Sequence, residues 1–190
     1  MDTNAGAFAQ TLTALAAHHQ VPVAGLKLDC RGGLRAHARR GVVTYGPDLD
    51  DQPAAVRQWV AGHELAHIAL GHSREHWLIG RRGAALAVLA SVLCLPGILA
   101  PAIPASFRLT VFGFVLVVAS AAWSFRAMGV ASRRQEVEAD QLAAAWGYPV
   151  TPAIAAWITD AERSRGIKPG TARRRTHPAP YDRINSPGER

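Results

Sequence analysis

Two uncharged, apolar runs in the middle of this chain limit the folds open to it more strongly than any other part of the sequence. No charged residue occurs from Gly83 through Phe107, and after Arg108 the run from Leu109 to Phe125 is again uncharged. The first run is long enough to cross a bilayer, and the second is near the lower limit of about 17 residues for a span. Between them, the segment PGILAPAIPAS is rich in proline and small residues, which is typical of a tight turn. The sequence therefore predicts a two-helix transmembrane hairpin over residues 83–127.

Arginines on both sides of the apolar runs predict the orientation of this hairpin. The flanking arginines are Arg74, Arg81, Arg82, Arg126, Arg133 and Arg134. The predicted turn contains Arg108 alone, so the positive-inside rule places both flanks, and with them both termini, in the cytoplasm. A cytosolic start agrees with the N-terminal segment, which begins with an acidic residue, Asp2, and lacks the basic region of a signal peptide. The alternative is a buried helical hairpin in a soluble domain, which would need more surrounding chain to cover it.

Charge and cysteine content narrow the partners that we expect. The net charge of +7 at pH 7 predicts an acidic partner surface, and the apolar middle favours lipid headgroups over nucleic acid. The basic tail, including Arg173, Arg174 and Arg175, belongs to no recognisable nucleic-acid motif, so we interpret it as solvated or lipid-facing. Cys30 and Cys94 provide neither a disulfide framework nor a CxxC metal pair, and we expect them to be small apolar fillers.

Apolar periodicity, caps and breakers predict short elements outside the hairpin. The first is a helix from Thr3 to about His19, capped by Thr3 or Asn4, and two or three short strands follow between Val21 and Tyr45. A second helix, capped by Asp50 or Asp51, stops near Gly71. After the hairpin come a helix from Ser132 to Gly147 and a short helix from Thr151 or Pro152 to about Ala161. The fold class that follows is mainly α with a small β-sheet.

The segment HELAH points to metal chemistry. Histidines four residues apart on a helix lie on one face, so His63 and His67 can both reach one ion. Glu64 lies beside them, where it can take a proton from metal-bound water instead of binding the metal. The residues around the motif are apolar, and buried neutral imidazoles need a compensating partner, for which a metal is well suited. The alternative is a pair of ordinary core histidines.

A catalytic zinc site needs a third protein ligand, and the region after HELAH does not provide one. Metzincins place a third histidine six residues after the second, but Ser73 occupies that position here. We therefore expect His72 and His76 to lie at the surface or to contact a metal ligand.

A better third ligand follows the apolar runs, in the string EVEAD. Glu136 and Asp140 are four residues apart on a predicted helix and share one face. We predict that Glu136 binds zinc and that Asp140 hydrogen-bonds a ligand imidazole. Glu138 points in another direction on this helix, which makes it the weaker candidate. The alternative for Glu136 and Asp140 is a solvated helix face.

Four elements in one order, namely HELAH, the pair of apolar runs, SRRQEVEAD and THPAPYDRI, resemble the HtpX-type and CAAX-prenyl-endopeptidase family of membrane gluzincin peptidases. The resemblance covers roughly residues 55–185. It implies His63, His67 and Glu136 as ligands of one Zn²⁺ and Glu64 as the catalytic base. It also implies that His177 and Arg183 lie near the active site, where a cation can stabilise the oxyanion.

The resemblance implies a zincin-like minimal metallopeptidase domain that the hairpin interrupts, with residues 1–82 and 128–190 as its two halves. The implied activity is zinc-dependent hydrolysis of peptide bonds in membrane or misfolded proteins at the cytoplasmic membrane. A strand near Gly41–Tyr45 is expected to pair with the extended substrate. The first seventy residues are also similar to the soluble ImmA/IrrE-type regulatory peptidases, which cleave repressors. A zinc-stabilised membrane adaptor without catalysis is the alternative outside the enzymes.

Overall fold

The computed structural model of the protein describes residues 6–72, 104–166 and 178–184. Within these ranges the fold is mainly helical with one small three-stranded sheet. Its elements are α1 (Ala7–His18), β1 (Gly25–Leu28), β2 (Ala36–Arg39), β3 (Val42–Tyr45), a 3₁₀ helix (Pro47–Leu49), α2 (Ala54–Ala69), α3 (Pro104–Ala145) and α4 (Pro152–Ser164). The first predicted membrane span, most of the predicted turn, and His177 lie outside the described residues.

The three strands are arranged in the order β1-β3-β2, with β3 parallel to β1 and antiparallel to β2. Arg40 and Gly41 connect β2 to β3, with φ angles of 53° and 80°. Two consecutive positive φ values are typical of a type I′ turn, which matches the twist of a two-residue hairpin. The prediction that the strand near Gly41–Tyr45 pairs with substrate is wrong, because both edges of β3 are occupied. The edge strand of this hairpin is β2.

The sheet packs together with α1 and α2 around a single apolar core. The largest fully buried side chains belong to four of these elements and are Phe8, Leu12, Leu49, Leu65 and Val43. Phe8 from α1 contacts Tyr45 from β3, with ring centroids 5.1 Å apart. Burial of each large apolar side chain contributes about 1.5–3 kcal/mol to stability. Since Leu65 belongs to HELAH, the same core holds the motif helix in place.

Asp50 has a different role from the one predicted. It does not cap α2, which begins after Pro53 without a side-chain cap. Instead its Oδ1 accepts a hydrogen bond of 2.7 Å from the backbone N–H of Phe8, so it satisfies a free donor at the start of α1. The predicted caps of α1, Thr3 and Asn4, lie outside the described residues, which leaves Gly6 as the observed N-cap.

The predicted end of α2 and the predicted start of α4 agree with the structure. Helix α2 ends at Ala69, and Gly71 follows with a φ of 68°, the left-handed conformation that glycine adopts readily at a helix end. Helix α4 starts after Thr151, whose side chain accepts a hydrogen bond from the backbone N–H of Ile154.

Helix α3 joins two segments that were predicted to be separate. It is 42 residues long and contains both the second apolar run and the string EVEAD. The predicted helix start at Ser132 is wrong. Gly129 and Ser132 lower helix propensity without ending a helix, and no proline interrupts the chain after Pro104 in this helix. The internal contacts of the chain divide it into two compact units. One unit is formed by Met1–Arg74 together with Ser132–Arg190, and the other by Glu75–Ala131.

Gly46 allows a close backbone contact at the end of β3 and provides a test of the fold. A Cβ atom at this position would overlap with the carbonyl oxygen of Gly33 and lie 2.5 Å from its nitrogen. Backbone atoms cannot move aside cheaply, so we expect Gly46→Ala to lower the free energy of unfolding by about 1–3 kcal/mol or more. Gly25→Ala is the matched control, because the nearest atom to its Cβ is 4.0 Å away. Equal thermal unfolding midpoints for the two variants would contradict this packing.

Candidate metal centre

Helix α2 brings the two histidines of HELAH together on its buried face. Their Nε2 atoms lie 3.1 Å apart, with the two rings nearly perpendicular. Gly62, next to His63, permits this burial, since a Cβ there would lie 2.9 Å from Cδ2 of Tyr148. The i, i+4 spacing therefore places two nitrogen donors of one helix next to each other.

Glu136 from α3 completes a group of three donors around this point. Its Oε2 lies 3.5 Å from Nε2 of His63, and its Oε1 lies 3.6 Å from Nε2 of His67. Zn–N and Zn–O bonds of about 2.0–2.1 Å in a tetrahedron give donor–donor separations of about 3.4 Å. The contacts of 3.1, 3.5 and 3.6 Å, of which the last two are to different oxygens of Glu136, fall around this value. The group fits a tetrahedral ion with three protein donors and one open position.

Asp140 lies one helical turn after Glu136 and contacts the opposite nitrogen of His63. Its Oδ1 is 3.0 Å from Nδ1 of His63, an ion-pair contact whose N–H direction departs from a linear hydrogen bond. Arg183 donates to both oxygens of Asp140, from Nε at 2.6 Å and from Nη2 at 2.7 Å. This bidentate pair is buried, which makes it geometrically specific and fixes the carboxylate that faces His63.

Trp59 covers the same side of the group. Its ring stacks on His63 with a centroid separation of 5.5 Å and an interplanar angle of 26°. The guanidinium carbon of Arg183 lies 5.2 Å from the centre of the same ring, a cation–π contact. Sequence reasoning missed Trp59. Its position four residues before His63 on the same helix face was the signal that could have identified it.

Glu64 is buried, with 7% of its surface exposed, and belongs to neither the donor group nor an ion pair among the described residues. Burial raises its pKa to about 7, with the carboxylate of Glu136 adding to the rise, while His63 and a backbone hydrogen bond from Ala38 oppose it. A carboxyl group with a pKa near neutrality can both accept and return a proton at that pH.

The two histidines differ in their affinity for protons. Burial lowers the pKa of His63, but hydrogen bonding and charge from Asp140 and Glu136 outweigh it and raise the pKa to about 10. Burial and the neighbouring charge of His63 lower the pKa of His67 to about 3. In the metal-free protein one imidazole is therefore charged and the other neutral.

This difference predicts proton release on metal binding. A metal ligand must be a neutral imidazole, so at pH 7 His63 loses its proton when zinc binds whereas His67 has none to lose. We expect at least one proton to be released per zinc, the one from His63, and affinity to rise at least tenfold per pH unit between pH 6 and 9. Calorimetry in two buffers of different ionisation enthalpy measures this number. An affinity independent of pH would contradict the assignment of His63 as a protonated ligand.

The remaining predicted residues have different places. His72 is buried and contacts His67, with their Nδ1 atoms 2.8 Å apart, so of its two predicted places it occupies the one next to a proposed metal ligand and not the surface. His76 lies outside the described residues. Glu138 turns away from the donor group, as predicted, and contacts His72. Arg183 lies at the site, but two of its nitrogens bind Asp140, and its role at an oxyanion stays a prediction. His177 lies outside the described residues.

Two histidines and one glutamate, with a second glutamate beside them, form a donor set typical of metal-dependent hydrolases. The sequence model of peptidase family M48 matches residues 52–188. The chain therefore belongs to peptidase family M48, which confirms the resemblance to the HtpX-type and CAAX-prenyl peptidases. The match extends past α3 to the C-terminal segment, which favours this family over the ImmA/IrrE-type peptidases. Neither a curated protein nor a solved structure matches the chain.

Proposed function

We propose that the protein is a zinc-dependent endopeptidase of the cytoplasmic membrane. The observation that carries this proposal is the spacing of the three donors, His63, His67 and Glu136, around one point with Glu64 next to them. Two imidazoles and one carboxylate are a donor set that zinc peptidases use with a fourth position open. Membership of a peptidase family supports peptide-bond hydrolysis as the reaction.

The residues of the chain divide the chemical work between them. His63, His67 and Glu136 would hold the zinc ion, which would supply Lewis acidity and lower the pKa of a water towards about 7. Glu64, which is buried beside the donor group, accepts a proton from the attacking water and later delivers it to the leaving amine. Asp140 and Arg183 keep the His63 ring in its orientation through the buried carboxylate.

The position of β2 supports an extended polypeptide as the substrate. Its residue Ala38 pairs with Val43 across the sheet, and its backbone also hydrogen-bonds Glu64. Among the described residues no strand pairs with the other side of β2, and the carboxylate of Glu64 lies at this edge of the sheet. An extended peptide added to this edge has its backbone next to Glu64. This edge replaces β3 as the proposed substrate strand.

Exposed apolar side chains on α3 support the membrane location. Between Gly113 and Ala145, α3 contains an 18-residue window with a mean hydropathy of 1.6, which is long and apolar enough to cross a bilayer, and it is the one such helix among the described residues. Phe114 and Trp123 are 67% and 66% exposed. Surfaces of this kind are unfavourable in water and suited to lipid. Together with the flanking arginines, they support a hairpin with both termini and the active site on the cytoplasmic side.

Metal removal tests the proposed activity. We expect purified protein in detergent to contain one zinc per chain and to cleave an unfolded substrate such as casein. Dialysis against a chelator should abolish cleavage, and stoichiometric zinc should restore it, because the donor group holds one ion. Cleavage that persists without metal would contradict the proposal, and so would a protein that binds no zinc. Cleavage by material free of detergent or lipid at the full rate would contradict the membrane location alone.

A further inference from the structure

A chain of polar contacts starts at His67 and leads away from the donor group. Nδ1 of His67 lies 2.8 Å from Nδ1 of His72, and Nε2 of His72 lies 3.2 Å from Oε2 of Glu138. Oε1 of Glu138 accepts a hydrogen bond of 2.7 Å from Nε of Arg134. His72 is 5% exposed, whereas Arg134 lies at the surface. We call this set of four contacting residues the His72 chain; its members are His67, His72, Glu138 and Arg134.

The chemistry of imidazole assigns the protons along the His72 chain. His67 faces the other donors with Nε2, so as a neutral ligand it carries its proton on Nδ1. That N–H needs an acceptor, and Nδ1 of His72 is the atom within reach. His72 must then carry its own proton on Nε2, which faces the carboxylate of Glu138. With two neutral rings, this proton order satisfies each of the three contacts that join His67 to Arg134.

We propose that His72 is a positioning residue for the metal, which accepts the Nδ1 proton of His67 and thereby fixes the tautomer and ring orientation of that ligand. The inference rests on the proposed zinc site. It gives both ligand histidines the same type of support, in which the ring nitrogen that faces away from the donor group contacts an acceptor, and the contacts end in a carboxylate–arginine pair. For His63 the pair is Asp140 and Arg183, and for His67 it is Glu138 and Arg134 with His72 in between.

Two substitutions of His72 separate positioning from packing. The Oδ1 atom of asparagine is as many bonds from Cβ as Nδ1 of histidine, so His72→Asn keeps an acceptor for His67. Glutamine extends one bond further and matches Nε2, so His72→Gln keeps the contact to Glu138 and loses the acceptor. Positioning therefore predicts that asparagine replaces histidine better. Packing predicts the opposite, because glutamine is nearer to histidine in volume.

We expect His72→Asn to bind zinc within about threefold of the unaltered protein, and His72→Gln and His72→Ala to bind it about 10–100-fold more weakly. Chelator competition on the full chain measures these affinities. The visible absorption of the Co²⁺-loaded protein and the exchangeable imidazole N–H resonances report on the orientation of His67. Glu138→Gln should give a smaller loss of the same sign. His18→Asn, on an exposed histidine of α1, is the matched control and should change nothing.

The outcomes separate this inference from the proposed function. If His72→Gln binds zinc like the unaltered protein, or if His72→Asn loses as much affinity as His72→Gln, the positioning role is wrong while the zinc peptidase proposal stands. If the unaltered protein binds no zinc, both proposals fail. Circular dichroism of the metal-free chain shows whether His72→Ala folds. If it does not, His72→Asn, His72→Gln and Glu138→Gln still decide the question, because these three substitutions keep a polar side chain at the altered position.

Discussion

Replacement of Glu64 by glutamine is expected to abolish hydrolysis and to leave zinc bound. Glutamine has nearly the same shape and keeps an oxygen that can accept the hydrogen bond from Ala38, but it cannot take a proton from water. Loss of a general base lowers turnover by about 10²–10⁴-fold. Because Glu64 is not one of the three donors, the zinc content should stay at one per chain. Cleavage of a fluorogenic peptide and zinc analysis on the same preparation measure both quantities.

The same variant should be more stable than the unaltered protein at alkaline pH in the absence of metal. Burial raises the pKa of Glu64 from 4.5 to about 7, so ionisation opposes folding. The favourable contribution of the protonated group is present below pH 4.5 and is lost as the pH rises through 7, on the order of 3 kcal/mol by pH 8. Glutamine stays neutral and does not carry this cost. Thermal unfolding of both proteins at pH 5 and pH 8 measures this difference in stability.

The outcome that would contradict the role of Glu64 as base is full peptidase activity in Glu64→Gln.

Replacement of Glu136 by glutamine is expected to give the largest loss of metal. Glu136 supplies the one anionic donor and is the only donor from α3, so its removal leaves two imidazoles of α2 to hold the ion. Zinc binding free energies of about 10–16 kcal/mol in structural sites with four ligands correspond to about 2.5–4 kcal/mol for each ligand. We therefore expect an affinity about 10²–10³-fold weaker, measured by chelator competition, with activity lost in parallel at limiting zinc.

A matched carboxylate control belongs to this experiment. Asp160 lies on α4, is exposed, and pairs with Arg163 at the surface. Asp160→Asn removes the same charge as Glu136→Gln at a site where solvent screens it, so zinc affinity should not change. If the two variants bound zinc equally, Glu136 would not be a ligand, and the assignment of a metal centre to these residues would fail.

The two glutamates at 64 and 136 therefore fail in different ways. Glu64→Gln should separate activity from metal content, whereas Glu136→Gln should lose both together. A zinc-stabilised adaptor without catalysis predicts no functional change for Glu64→Gln and the same metal loss for Glu136→Gln. Comparison of the two variants consequently distinguishes an enzyme from an adaptor, even before a physiological substrate is identified.

Residues close together in the chain determined the part of the site that the sequence could predict. Histidines four residues apart on a helix share a face, so HELAH alone predicts that His63 and His67 converge, with Glu64 beside them. The start of α4 at Thr151 and the end of α2 before Gly71 were predictable for the same reason, because caps and breakers act within one helical turn.

Contacts between distant segments decided the rest. The pairing of His72 with Glu138 joins residues 66 positions apart, and that of Arg183 with Asp140 joins residues 43 apart. Such pairs depend on how α2, α3 and the C-terminal segment pack, which no local pattern encodes. The same is true of Asp50, which caps α1 instead of α2, and of β3, which lies in the centre of its sheet. Local periodicity determined the two imidazoles, and tertiary packing selected the carboxylates, arginines and third histidine that surround them.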